Sequence, residues 1–208
     1  MRGEGSDRLV FTGHIAGFGT TAGIRMVVGS WQDSPFGSFA DVMVETADGR
    51  RTLLAPSSQI AEFVSQTYTF DDVQIGPVAV DRAADRFTVT APQLAVTGEL
   101  GGPAPFDWLL RMVPAPLSRA PWWLRGISPV AARLVPGVQT AGSAGSDRRE
   151  YYGVRRTRRI TGVQGTFGDA DLGGVADLDP PVRFGFSSAP STPQLVSVTT
   201  TIDLPRLR

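Results

Sequence analysis

The sequence predicts a mostly β, single-domain protein whose antiparallel strands roll into a barrel or stack as a sandwich, and three observations carry that expectation. Short runs such as Arg86 to Ala91, RFTVTA, alternate apolar and polar residues with the two-residue period of a strand that buries one face. Gly and Pro, 24 and 16 of the 208 residues, punctuate these runs, as turns between short strands require. Only two stretches depart from this pattern, one short and one long, and both carry apolar residues at helical spacing. A chain of this length can bury roughly 70% of the surface exposed by its unfolded form, so one domain over 1–208 needs no disulfide or metal staple.

Taken in order, residues 1–7 are small and charged and read as a frayed end. Strands are expected from Arg8 to Phe18, Ile24 to Trp31 and Phe36 to Thr46. Ala47-Asp48-Gly49 is a hairpin signal, because Asp-Gly supplies the positive φ of a tight turn. Arg51 to Leu54 returns from it, and a short helix follows near 57–66, with a serine cap and Ile60, Phe63 and Val64 on one face. Tyr68 to Ile75, Val78 to Asp81, Arg86 to Ala91 and Leu94 to Gly98 continue as strands. After the long exception come Arg148 to Ile160, a basic strand pair or strand and turn, and Thr161 to Phe167, which extends the sheet. An acidic, Gly-rich loop at 168–181 and closing strands at 182–186 and 194–204 complete the chain. About ten short strands with few helices match a lipocalin-like or calycin-like barrel by pattern. A barrel is favoured over a sandwich because closure leaves no long unpaired edge.

The long exception is a helical insert at 103–136, running to Val138. Phe106, Leu109, Leu110 and Val113 recur at helical spacing, and five prolines from Pro114 to Pro136 cut the stretch into short helices. Four arginines against Asp107 leave it net positive by three. Three roles are open to it: a cap on the sheet, a lid over an apolar ligand, or a peripheral contact with an anionic membrane.

Composition excludes much chemistry. There is no cysteine, which removes disulfides, thiolate nucleophiles and cysteine-bound metals. There is no lysine either, so all 20 basic residues are arginine, and Schiff-base chemistry and the P-loop are excluded. Twenty acidic residues balance the charge, so no global field favours nucleic acid, which is not expected as a partner. No segment has the roughly 20 apolar residues of a transmembrane helix, and with no signal peptide evident the expectation is a cytoplasmic protein. The run from Ser34 to Val73, with REYYGVR at 149–155 and PPVRFGFSS at 180–188, resembles uncharacterised actinobacterial proteins of about 200 residues. That resemblance implies a bacterial setting and carries over no activity and no site residue.

Against this background the candidate residues are few. His14 is the sole histidine and so the one side chain that ordinarily titrates near neutral pH. With Asp41 it is the candidate acid or base, although no G-x-S-x-G elbow accompanies it. The aspartates at 169, 171, 177 and 179 lack calcium-loop spacing, and neither a metal nor a cofactor is expected. Arg148, Arg149, Arg155, Arg156, Arg158 and Arg159 surround Tyr151 and Tyr152. They read as a solvated, ion-paired face, as a grip on an anionic small molecule or headgroup, or as a nucleic-acid contact. The leading expectation is a cavity that binds a hydrophobic or amphipathic small molecule beneath the insert. Phe106, Trp108, Trp122 and Trp123 would supply apolar contact, and Arg149, Tyr151 and Arg155 would meet an anionic end. The opposing expectations are an isomerase, cyclase or hydratase acting on an apolar metabolite through His14 or Asp41, and a structural or interaction domain with no ligand.

Overall fold

The computed structural model describes residues 8–105, 107–114, 126, 141–143, 149–185 and 190–204. The fold is mostly β. The strands are β1 (Arg8–Thr20), β2 (Arg25–Asp33), β3 (Phe39–Glu45), β4 (Arg51–Ala55), β5 (Asp72–Ile75), β6 (Ala79–Arg82), β7 (Arg86–Ala91), β8 (Leu94–Pro103), β9 (Ala141–Ser143), β10 (Arg149–Phe167), β11 (Ala170–Asp171), β12 (Val175–Ala176) and β13 (Gln194–Asp203). Helix α1 (Ser58–Ser65) follows β4, and α2 (Asp107–Met112) follows β8. One sheet runs in the order β5-β4-β3-β2-β1-β13-β10-β8-β7-β6, with β9, β11 and β12 as short side pairings. Its pairs are antiparallel except β4 with β5.

The mostly β, barrel-like sheet expected from the sequence is present. Among the described residues no ladder joins the edge strands β5 and β6, so the sheet is a curled half-barrel. It curls far enough for its two arms to share a core. Phe18, Met26, Val28, Val42 and Leu54 from one arm pack with Phe87, Val89, Val96, Leu100 and Val163 from the other. The reason lies in β1 to β4, whose residues are buried on both faces. Leu53 and Leu54 point to opposite sides and are both 0% exposed.

The second face of that arm is covered by α1 and by the segments around Tyr68 to Phe70 and Leu178 to Phe184. Helix α1 begins where expected. Ser57 is the N-cap and its side chain accepts from the Ile60 amide at 3.3 Å. Phe11, Phe36, Phe39 and Phe63 stack beneath it at centroid separations of 4.9–6.4 Å. Of the strand expected at 182–186, residues 182–185 are described and form no strand. Instead the Arg183 amide and Nε donate to the two oxygens of Glu45, at 2.7 and 2.9 Å, which pins that segment as irregular chain on the sheet. The buried Arg25 shares the same carboxylate at 3.2 Å and donates to the Pro180 carbonyl at 2.7 Å.

Two further expectations are refined. Residues 149–167 form one strand of 19 residues, bent by register shifts, rather than a strand pair or strand and turn. Of the insert, α2 is described, and it docks on β10: Asp107 is buried and its Oδ1 accepts from the Thr157 amide at 2.7 Å. Most of 115–140, including Trp122 and Trp123, lies outside the described residues, as does Phe106.

Candidate functional site

Alternation along β1 places His14, Ala16 and Phe18 on the inner face, and the shared core fills that face only from Ala16 inward. Beyond it the half-barrel leaves a cavity of about 200 Å³. Its lining comes from β1 (His14, Ala16), β2 (Val28, Ser30, Gln32), β6 (Val80, Arg82), β7 (Phe87) and β13 (Leu195). The residues sort by polarity. Ala16, Val28, Val80, Phe87 and Leu195 make an apolar floor, whereas His14, Ser30, Gln32 and Arg82 make a polar rim. Such a wall, apolar with a few convergent polar groups, is what small-molecule sites share.

The sheet holds this geometry rigidly. His14 is flanked in register by Ser30 on β2 and Ser197 on β13, and Arg82 lies opposite Phe87 in the β6–β7 hairpin. Gly13 has no room for a side chain, since a Cβ there would collide with the Ser30 carbonyl. The glycine thus lets β2 approach β1 at the cavity wall. Partial burial pushes the His14 pKa down to about 4, and the nearby Arg82 charge adds to that; a hydrogen bond with Gln32 opposes it. The imidazole is therefore neutral at pH 7 and offers one donor and one acceptor to the cavity. Among the described residues the lining holds one formal charge, Arg82, and no carboxylate.

Asp41 lies elsewhere. It pairs in register with Gly29 on the second face, where Trp31 Nε1 donates to its Oδ1 at 3.1 Å. Gly29 makes space for this contact, because a Cβ there would lie 2.6 Å from Asp41 Oδ1 and 2.8 Å from Trp31 Nε1. Burial pushes the Asp41 carboxyl up to about 7, with the Trp31 bond opposing the shift. Nearby on the same face, Glu150 Oε2 accepts from Tyr68 at 3.0 Å and from Tyr152 at 2.8 Å, and the two phenol oxygens are 2.8 Å apart. Three oxygens in mutual contact share two phenolic protons. Burial first, then the Glu150 charge, raises both phenols well above their ordinary range. Thr200, opposite Tyr152 in register, is buried with no hydrogen-bond partner for its Oγ1 among the described residues.

Of the other residues singled out from sequence, those among the described residues do not line the cavity. Trp108 on α2 is 64% exposed. Tyr151 is buried, one residue from Tyr152 and so on the opposite side of β10. Arg155 is the extra residue of the β10 bulge and projects to solvent. Arg149 pairs in register with Asp203 at the start of β10. Within the arginine strip, Arg158 is structural: its guanidinium donates to the Leu100, Gly101 and Ala84 carbonyls. Of the lining, sequence reasoning singled out only His14, and the charged residue it missed is Arg82. Its signal was an arginine in strand register with the apolar Val80, and that register appears only once β6 is paired with β7.

The fold and site together define a class: a curled, mostly β protein with a small cavity that is apolar below and cationic at its rim. No known protein family matches the chain, and no curated protein matches it in sequence. Among solved structures, the crystal structure of acetoacetate decarboxylase from Legionella pneumophila subsp. pneumophila str. Philadelphia 1 overlaps it loosely, with a TM-score of 0.43 and 9% identity. The overlap covers 98% of this chain and 90% of that one. A likeness this loose assigns neither family nor activity. No helix among the described residues is long and apolar enough to cross a membrane.

Proposed function

We propose that the protein binds a small amphipathic molecule in the cavity at His14. The observation that carries this reading is the polarity gradient of the lining, from Phe87 and Leu195 on the floor to His14, Gln32 and Arg82 at the rim. A cavity of about 200 Å³ suits a short ligand. Native mass spectrometry of the purified chain tests the reading. A co-purified or added small molecule should be retained by the natural protein and lost from Ser30→Leu, which fills the rim. Equal retention by both would place the ligand elsewhere and refute it.

A second reading, proton-transfer catalysis through Asp41, is favoured by one observation: a buried carboxyl poised near neutrality beside two phenols and Glu150. Asp41 does not line the His14 cavity, so the two readings separate. Asp41→Asn leaves cavity binding intact, and would abolish turnover if the second reading holds.

A further inference from the structure

The cavity also constrains the charge of what it takes, an inference that rests on the binding reading above. Arg82 is exposed at the rim and has no carboxylate partner among the described ion pairs. Its sequence neighbour Asp81 projects to the other side of β6 by alternation, and Asp33, beside Gln32, is not part of the lining. Across the sheet, Arg156 lies opposite Ser197, which itself lies opposite His14. The rim is thus cationic, and its other groups are hydrogen-bonding side chains from Ser30, Gln32 and His14. A neutral ligand would leave the guanidinium facing the cavity unpaired, and a cation would be repelled by it. A planar two-oxygen anion matches the guanidinium fork and still leaves an oxygen edge for His14 or Gln32.

We propose that the cavity takes a small amphipathic anion, its head on Arg82 and His14 and its short apolar tail over Val80, Phe87 and Leu195. The ligand and His14 then influence each other. An anion at the rim offsets the field that now disfavours the imidazolium, so binding raises the His14 titration midpoint, and protonation of His14 tightens binding in return.

Because His14 is the sole histidine, its imidazole proton resonance reports the site without assignment ambiguity. The experiment titrates the intact chain with butanoate, butan-1-ol and butylammonium, which share a tail and differ in head group. Butanoate should shift the resonance saturably and raise its midpoint above about 4. Arg82→Gln should weaken butanoate by about tenfold while leaving butan-1-ol unchanged, and Arg82→Lys should restore part of the loss. If butan-1-ol or butylammonium binds as well as butanoate, the cavity reading survives and the anion inference falls. If none of the three moves the resonance, both fall. Butanoate affinity that is unchanged in Arg82→Gln would likewise overturn the assignment of the head-group contact.

Discussion

Replacing Asp41 by asparagine is predicted to stabilise the protein at alkaline pH and to change it little in acid. In the unfolded chain this carboxyl loses its proton above 3.8, whereas in the fold burial holds the proton until about 7. Its contribution to stability is therefore complete below 3.8, declines as pH rises between those values, and levels off above about 7. At about 1.4 kcal/mol per pH unit the ceiling is about 4 kcal/mol, and relaxation around the charge brings the expected figure to about 2–4 kcal/mol. Asparagine has the same shape, its carbonyl can still accept from Trp31 Nε1, and its amide takes the place of the carboxyl proton. The assay is urea unfolding of both proteins at pH 4 and pH 8.5. The stability difference should grow from near zero to about 2–4 kcal/mol in favour of Asp41→Asn, with His14 titrating alike in both proteins and dropping out. A variant less stable than the natural protein at pH 8.5, or a difference independent of pH, would mean that Asp41 is ionised and paired, and would refute this reasoning.

Other consequences follow from the same contacts. His14 carries the opposite sign: its depressed midpoint gives stability that is complete above pH 6.5 and lost as pH falls towards 4, by about 1–2 kcal/mol after discounting for its partial exposure. His14→Gln should abolish that slope in acid unfolding curves. Glu45→Gln removes the charge facing the buried Arg25 and releases the Arg183 segment, and should lower stability by about 3–5 kcal/mol in chemical denaturation. Tyr152→Phe opens the ring of three oxygens around Glu150, costs about 1–3 kcal/mol, and should speed amide hydrogen exchange around Tyr68 relative to the β6–β7 hairpin.

Much of the fold was legible because strands and turns are local. The Asp48-Gly49 hairpin, the Ser57 cap and the two-residue period of Arg86–Ala91 each appear where the sequence places them. Strand β3 starts at Phe39 instead of Phe36, because Ser34 ties down a turn by accepting from the Phe36 amide and donating to the Gly37 carbonyl. How far the sheet curls was not legible, since nothing local in β5 or β6 records how near two distant edges come. The site was legible only in part. His14 stood out by being alone of its type, and Asp41 proved to be buried, but the cavity gathers strands spread along the sequence from His14 to Leu195. Arg82 became visible only when β6 folded back across β1 and β2. The tryptophan-rich insert drew attention through its composition, yet its described portion packs on β10 and contributes nothing to the cavity lining.

The central claim, that a small molecule occupies the space beneath His14, is tested most directly by intermolecular nuclear Overhauser effects in a methyl-labelled sample with butanoate present. The account predicts contacts from the ligand tail to the methyl groups of Val28, Val80 and Leu195 and from its α-protons to His14. Contacts confined to methyl groups outside this cavity, or none at saturating butanoate, would contradict it.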